Sequence, residues 1–336
     1  MQVQTKEEAV VATAPLLDVR NLQVEFRTDR GPVRAVDNVS FSIKPGEVLG
    51  LAGESGSGKS TIALAIMRVL KSPAVITGGS VHFRNRDILA MNDDELEQFR
   101  WRDVSMVFQS AMNSLNPVMT IGDQIIDALE AHTKTTKKDA RDRAAHLLNL
   151  VGIDSRRIDS FPHQLSGGMR QRAVIATALA LDPPLMIMDE PTTALDVVVQ
   201  KEIMQQIEEL KEKLGFSILF ITHDLSLLVE FSDRIAIMYA GQIVEHAEAT
   251  ALFEDPLHPY TQGLMSSFPS LTGEKVRLTG IPGSPPNMLV PPSGCRFHPR
   301  CALAKPAHAR IVPHLREVKP GHFVACHLYG GLEERV

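Results

Sequence analysis

The sequence predicts an α/β protein with a parallel core sheet, an antiparallel β subdomain, an inserted helical subdomain and a small irregular C-terminal extension. Three observations indicate this class. Short apolar runs at 185–188, 217–222 and 235–239 alternate with helical patterns, which is typical of a parallel sheet. A glycine-rich loop at 53–61 separates a short apolar run from a helical pattern. Prolines cluster after residue 280 while the apolar periodicity fades, which indicates the irregular extension.

The remaining elements follow in chain order. Apolar and polar residues alternate between 16 and 45, with Gly31 near the middle, and a period of two predicts an antiparallel hairpin. Residues 48–52 read as a buried strand and residues 62–70 as a helix with one apolar face. From 91 to about 165 the apolar residues recur at helical spacing, which predicts the inserted helical subdomain.

Composition limits the classes of protein that fit. The chain has 336 residues, 44% of them hydrophobic and 22% charged, and this is ordinary for a globular protein. The formal net charge of −5 leaves no excess of Lys and Arg for a nucleic-acid surface, so no nucleic-acid partner is expected. No apolar run reaches the ~18 to 20 residues that span a bilayer, and the start lacks the basic-then-apolar order of a secretory signal. We therefore expect a cytoplasmic protein with a flexible tail at 1–14, a main domain at 15–255 and an extension at 256–336.

The loop at 53–61 predicts a phosphate site, because it fits the pattern G-x4-G-K-[ST] between a strand and a helix. Its glycines let successive backbone N–H groups surround a phosphate, and the following helix adds its positive dipole end. We expect Lys59 to neutralise the β- and γ-phosphate oxygens and the Ser60 hydroxyl to bind Mg²⁺. The predicted ATP-binding residues of this loop are Gly53, Glu54, Ser55, Gly56, Ser57, Gly58, Lys59, Ser60 and Thr61. The alternative is a glycine-rich loop without a ligand.

Two carboxylates end the apolar run at 185–188. Asp189 and Glu190 would lie at the carboxyl end of a strand, where ligands bind in open α/β sheets. We expect Asp189 to hold Mg²⁺ through water and Glu190 to polarise an attacking water. The alternative reading is an acidic helix N-cap.

The order of these motifs resembles the ABC-type ATPases. The segment Leu165-Ser166-Gly167-Gly168 matches the signature that separates this family from other P-loop proteins, and the resemblance covers about residues 16–250. It implies a P-loop ABC ATPase core in a head-to-tail pair, in which Ser166, Gly167 and Gly168 of one subunit contact the γ-phosphate at the partner's P-loop. A serine–glycine turn at a helix start is a second anion cradle, which is consistent with that role.

The resemblance also implies roles for three further residues. His223 resembles the switch histidine that touches the γ-phosphate and orients the water. Gln109 resembles the residue that binds Mg²⁺ and links the site to the helical subdomain, so the predicted catalytic group is Glu190, His223, Gln109 and Lys59. Asp196 resembles the loop residue that communicates across the dimer. The aromatic residue that usually stacks on adenine is not evident around Arg30-Gly31, and Arg30 and Phe26 are the alternatives for this contact.

Several stretches resemble one branch, the ATPase subunits of oligopeptide/dipeptide importers. They include Ser114-Leu115-Asn116-Pro117, His258-Pro259-Tyr260-Thr261 and the tail from 281 to 301, so the resemblance extends over nearly the whole chain. It implies a peripheral subunit on the cytoplasmic face of the membrane, with two permease subunits, an extracytoplasmic binding protein and a second, related ATPase chain as partners. Oligosaccharides, nickel chelates or another small solute are alternative cargoes, and a soluble non-transport ABC ATPase is an alternative class.

Cysteines occur in this chain only at Cys295, Cys301 and Cys326. In a reducing compartment a metal site is the leading interpretation of such a cluster. The tail resembles a segment with a four-cysteine iron–sulfur cluster, and His308 stands where the remaining cysteine would fall. Three thiolates and an imidazole could hold a [4Fe–4S] cluster or Zn²⁺, against the alternative of three free thiols.

Overall fold

The structure is a computed structural model that describes residues 14–109, 114–193, 195–266 and 280–330. The predicted tail at 1–14 falls almost entirely outside the described residues, and Ala194 lies outside them as well. Among the helices that are described, none combines the length and the apolarity that a bilayer crossing requires.

The strands and helices are numbered in chain order. The strands are β1 (Leu17–Thr28), β2 (Gly31–Ile43), β3 (Val48–Ala52), β4 (Ala74–Phe83), β5 (Arg86–Asp87), β6 (Val104–Val107), β7 (Leu185–Asp189), β8 (Ser217–Ile221), β9 (Arg234–Tyr239), β10 (Gln242–Glu248), β11 (Arg316–Lys319) and β12 (His322–Val324). The α-helices are α1 (Lys59–Ile66), α2 (Asp93–Phe99), α3 (Ile121–His132), α4 (Lys137–Leu150), α5 (Gly167–Ala178), α6 (Val197–Leu214), α7 (Leu225–Phe231), α8 (Ala249–Glu254) and α9 (Pro259–Met265).

The first sheet is antiparallel, in the order β2-β1-β4-β5. Its central pair confirms the predicted hairpin, with Leu17 opposite Ile43 and Thr28 opposite Gly31. The period of two puts Leu17 and Val19 into the core between this sheet and α1, and register shifts between Val19 and Val24 bring Leu22 and Val24 to the same face. The sheet therefore covers one side of the glycine-rich loop.

The second sheet has the order β11-β12-β10-β9-β3-β8-β7-β6, and its strands from β9 to β6 are parallel. Strands β3, β7 and β8 are buried along their whole length, because helices or the first sheet cover both faces. These three strands are parallel neighbours, so their carboxyl ends lie side by side at one end of the sheet. The chain leaves them into the glycine-rich loop, into Glu190 and into His223 respectively.

The predicted helical stretch from 91 to 165 is only partly helical. Helices α3 and α4 have the expected apolar faces, but β6 lies inside the stretch and pairs in parallel with β7. The prediction was wrong there because four residues are too short to display a period. The helical insertion therefore starts only after β6, the strand with which the chain rejoins the core sheet.

The segment from 256 to 330, here called the C-terminal segment, is held to the rest of the chain by strand pairing. Strand β12 pairs antiparallel with β10, so that Glu245 lies opposite Val324, and β11 adds a further strand at the edge. Glu245 is fully buried and accepts hydrogen bonds from the backbone N–H groups of Leu257 and His258 at 2.6 and 2.9 Å. Its carboxylate also lies 2.7 Å from Nε2 of His322. Strand pairing and buried polar contacts therefore hold this extension to the core sheet.

His258 makes the stability of this region depend on pH. Its Nδ1 accepts the backbone N–H of Tyr260 at 3.0 Å, and burial lowers the pKa of His258 to about 3. A histidine that titrates near 6.5 when unfolded then takes up a proton only in the unfolded chain between those values. The stability is present above about pH 6.5 and is lost as the pH falls, by about 2 kcal/mol at pH 5.

We expect His258→Asn to reduce this acid sensitivity, since asparagine can cap the helix without titrating. The measurement is the urea midpoint at pH 7 and at pH 5. His314→Asn is the control because His314 is exposed. Equal pH dependence in the wild type and in His258→Asn would contradict the prediction.

Candidate active site

The glycine-rich loop follows β3 and leads into α1. Gly53 and Gly58 have φ values of +146° and +104°, a region that favours glycine. A Cβ on Gly53 would lie 2.2 Å from the carbonyl oxygen of Met238, and one on Gly58 would lie 2.3 Å from that of Ala35. The loop is thus pressed between β9 and β2, and only glycine fits at these two positions.

Lys59 lies in the curve of this loop. Its Nζ donates to the carbonyl oxygens of Gly53 and Glu54 at 2.8 and 3.0 Å. Burial lowers the pKa of Lys59, while the carboxylates of Glu190, Asp189 and Glu54 act in the opposite direction. The loop therefore encloses a cation at the N-terminus of α1, and both features attract a phosphate.

Asp189 ends β7 beside α1. Burial raises the pKa of its carboxyl group, and a hydrogen bond with Ser60 opposes this shift. In the part of the chain that the structure describes, its buried Oδ1 has no hydrogen-bond partner. An orphaned carboxylate oxygen next to a hydroxyl suits a hard cation, so Ser60 and Asp189 fit the predicted Mg²⁺ site.

Glu190 is the centre of the predicted catalytic group. Its Oε2 accepts hydrogen bonds from Nε2 of Gln109 at 2.9 Å and from Oγ1 of Thr193 at 3.1 Å. Its Oε1 lies 3.3 Å from Nδ1 of His223. The structure thus brings together three residues that are far apart in sequence, as the motif order predicts. Thr193 was missed as a Glu190 partner because a threonine within a motif carries no separate signal.

Glu190 also has an unusual backbone. Its φ of +48° lies in the left-handed region, and its N–H donates to the carbonyl oxygen of Ile221 at 2.8 Å. A non-glycine residue in this region costs of order 1–3 kcal/mol, and such strain concentrates at functional sites. The strained turn places the carboxylate at the carboxyl ends of β7 and β8.

The signature residues lie on other elements. Ser166 is the N-cap of α5, and its hydroxyl accepts the backbone N–H of Met169 at 3.3 Å. A Cβ on Gly168 would meet Val199 of α6 at 2.8 Å, so glycine lets the two helices approach. Asp196 caps α6 through the N–H groups of Val198 and Val199. The contacts described for these residues are with α5 and α6, not with the glycine-rich loop.

The described residues do not show the metal site that was predicted in the C-terminal segment. Within the described ranges no group of three His, Cys, Asp or Glu side chains is placed to hold a metal ion. His308 accepts the backbone N–H of Lys305 at 3.2 Å and stacks on His327, with ring centroids 4.8 Å apart. Burial raises the pKa of Cys326 to about 11 and also raises that of Cys295, so both side chains are thiols in the metal-free chain. The described residues therefore do not support the predicted iron–sulfur or zinc site, and strand pairing attaches the C-terminal segment to the core sheet.

A contact between the C-terminal segment and the glycine-rich loop was not predicted. Both carboxylate oxygens of Glu54 accept from the Arg300 guanidinium at 2.7 and 3.0 Å, and the Glu54 backbone N–H donates to the Tyr260 hydroxyl at 2.9 Å. Arg300 stands in the motif that suggested metal binding, but sequence offers no means of pairing residues 246 positions apart.

These features define a P-loop ATPase of the ATP-binding cassette class. One α/β core carries the phosphate loop, the Asp189 carboxylate beside Ser60, the hydrogen-bonded Glu190 and the serine–glycine turn at the start of α5. The comparisons with known proteins agree. A family model for the ABC transporter matches residues 36–193, and one for the oligopeptide/dipeptide transporter C-terminal region matches residues 244–307. The chain belongs to the ABC transporter family, in the branch with the oligopeptide/dipeptide transporter C-terminal region.

Two relatives and one solved structure illustrate this. The dipeptide transport ATP-binding protein DppD of Haemophilus influenzae is 46% identical over 93% of this chain and 95% of its own length. The oligopeptide transport ATP-binding protein OppD of Bacillus subtilis is 43% identical over 94% and 89%. The ATP-binding cassette MJ0796, solved as a dimer in a post-hydrolysis state with ADP and Pi, is 31% identical. It covers 69% of this chain and 98% of its own, with a TM-score of 0.62.

Proposed function

We propose that this chain is the ATP-hydrolysing subunit of an importer for dipeptides or oligopeptides. The observation that carries the proposal is the group formed by Gln109, Glu190 and His223, in a chain whose C-terminal segment matches the oligopeptide/dipeptide transporter region. Relatives named for dipeptide and oligopeptide transport support the cargo class. We assign the nucleotide-binding domain to residues 15–255 and the extension to 256–336.

The glycine-rich loop binds the triphosphate in this proposal. Its backbone N–H groups surround the phosphates, and Lys59 releases its carbonyl partners to neutralise the β- and γ-oxygens. Ser60, Gln109 and Asp189 would hold Mg²⁺, which supplies charge neutralisation on the phosphate oxygens when bound. Arg30 is exposed in the turn between β1 and β2, whereas Phe26 is half-buried between β2 and β4. Exposure therefore favours Arg30 as the adenine contact.

Hydrolysis depends on Glu190. Its carboxylate accepts a proton from a water molecule whose oxygen attacks the γ-phosphorus. The bond between the γ-phosphorus and the β,γ-bridging oxygen breaks, and ADP and phosphate are formed. Gln109 and Thr193 hold one carboxylate oxygen, which leaves the other oriented toward His223. His223 is exposed in the single chain, so it can contact the γ-phosphate and the water.

A second cassette completes the site. Ser166 caps a 12-residue helix that begins with Gly167 and Gly168, and the N–H groups of these three residues would face the γ-phosphate at the partner's loop. Val197 and Val198, next to Asp196, are 79% and 69% exposed, as expected for residues that a partner covers. We infer that ATP joins the two cassettes and that loss of the γ-phosphate contacts separates them. A related chain rather than an identical copy is the proposed partner.

The helical insertion supplies the surface for the membrane partner. A groove of about 400 Å³ lies between β6, α3 and α5. It is lined by Trp101, Phe108, Leu115 and Met119, and the first two are partly exposed. An apolar groove of this kind accepts an amphipathic helix. We propose that a cytoplasmic helix from each of two permease subunits docks on such a groove, which places the chain at the cytoplasmic face of the membrane.

The test is a reconstitution of this chain with its permease subunits and binding protein in proteoliposomes. Peptide-loaded binding protein is expected to raise ATP turnover by about ten-fold and to drive peptide uptake, because cargo shifts the assembly toward the closed dimer. The same binding protein without cargo, and then with an oligosaccharide or a nickel chelate, are the comparisons. Stimulation by one of these ligands and not by peptide would overturn the peptide assignment.

A further inference from the structure

We propose that Arg300 of the C-terminal segment is a positioning residue for the phosphate loop: by pairing with Glu54 it neutralises a carboxylate that would otherwise repel the triphosphate. The inference rests on the proposed ATP site. It makes the C-terminal segment part of the nucleotide-binding machinery rather than an appendage.

Several contacts hold Arg300 and Glu54 in a fixed relative geometry. Arg300 is 6% exposed and forms a two-pronged ion pair with Glu54, while its Nε donates to the carbonyl oxygen of Pro282 at 2.8 Å. Its guanidinium carbon lies 5.7 Å from the centre of the Tyr239 ring. Each of these partners fixes the plane of the guanidinium, and a planar two-pronged pair aligns a carboxylate better than a point charge does.

Glu54 is held through its backbone as well. Its N–H donates to the hydroxyl of Tyr260, which is fully buried in α9. Tyr260 packs against Tyr239 and Phe297, with ring centroids 4.6 and 5.4 Å away. The C-terminal segment thus contacts the first residue after Gly53 at both the side chain and the main chain. Because these aromatic rings are closely packed, a displacement of the C-terminal segment would also displace the glycine-rich loop.

The charges of Arg300 and Glu54 predict whether each residue strengthens or weakens nucleotide binding. Glu54 lies in the loop that curls around the phosphates, and its carboxylate favours the charged form of Lys59. A carboxylate that is not neutralised there opposes a bound polyphosphate, and partial burial weakens the screening by solvent. Arg300 cancels that charge. Removing Arg300 and removing Glu54 are therefore expected to change nucleotide affinity in opposite directions, whereas a purely structural pair would lose affinity in both cases.

The chain contains a matched control. Arg296 is also a buried arginine of the C-terminal segment, and it pairs with Asp37 of β2 and with the carbonyl oxygen of Ala240. It attaches the segment to the cassette in a comparable way but does not contact the phosphate loop through these bonds. Loss of Arg296 reports what weaker attachment does by itself.

The experiment is a fluorescence titration of the full-length chain with mant-ADP, whose binding needs no second cassette. Arg300→Gln is expected to weaken binding about ten-fold, Glu54→Gln to tighten it about two-fold, and the double variant to recover most of the loss. Arg300→Lys keeps the charge and is expected to recover part of the affinity. Arg296→Gln is expected to lower the thermal midpoint with less than about a two-fold change in affinity.

Two results would overturn the inference. One is wild-type affinity in Arg300→Gln, and the other is equal weakening in Arg300→Gln and Arg296→Gln. If Arg300→Gln does not fold, Glu54→Gln and Arg300→Lys decide, since weakening in Glu54→Gln contradicts the charge argument. Absence of nucleotide binding in the wild type would instead overturn the proposed function, and this inference with it.

Discussion

Replacing Glu190 with Gln is expected to lower ATP turnover at least about 100-fold while ATP still binds, because the variant loses the proton acceptor and keeps the side-chain volume. The amide oxygen can still accept the hydrogen bonds that Gln109 and Thr193 donate to the carboxylate. Phosphate release by the reconstituted assembly measures the first effect. The ATP-bound pair of cassettes should accumulate, since the step that separates the subunits is blocked, and gel filtration with ATP, with ADP and without nucleotide measures this second effect.

The control for this variant is Glu208→Gln, which removes the same charge from an exposed position on α6. Its turnover should match that of the wild type. Unchanged turnover in Glu190→Gln would remove Glu190 from the mechanism. Equal association in all three nucleotide conditions would remove the ATP-dependent joining of cassettes and the transport cycle that depends on it.

The largest effect on stability is expected for Glu245→Ala. Glu245 is 0% exposed, and the substitution leaves the N–H groups of Leu257 and His258 without their acceptor and His322 without its partner. Removing one member of such a buried polar group costs about 3–5 kcal/mol. The urea midpoint of the full chain should fall accordingly, and the C-terminal segment should become accessible to protease before the cassette does.

Glu248→Ala provides the comparison, because Glu248 is exposed on the same strand and its loss should change stability by less than about 0.5 kcal/mol. Glu245→Gln keeps an acceptor and should fall between the two. Equal midpoints for Glu245→Ala and Glu248→Ala would show that the C-terminal segment is attached by other contacts.

Much of the site could be predicted from sequence because its chemistry lies in short continuous motifs. A phosphate loop needs glycine, lysine and serine at fixed spacing, and the acids must follow an apolar strand, so each piece carries its own signal. The hairpin and the parallel strands were predictable for the same reason, since their periods are local. Strand β6 was missed because it is only four residues long.

The metal prediction, by contrast, is not supported by the described residues. Cysteine spacing reports which side chains are near in sequence, but ligand sets depend on where the backbone turns and on what else the side chains can bind. His308 packs on His327, strand β12 pairs with β10 of the core sheet, and β11 pairs with β12. The same segment carried a contact that its composition did not reveal, the pair between Arg300 and Glu54.

The sequence by itself located the residues of the proposed chemistry: Lys59 in the phosphate loop, Asp189 as the proposed cation-binding acid and Glu190 as the proposed base, because these functions need particular residues in contiguous order. Only the tertiary structure decided how those parts are held. It put Gln109 and His223 on the same carboxylate, and it seated the C-terminal segment against the loop through Arg300. Such contacts join residues far apart in the chain, and they depend on packing that no local pattern encodes.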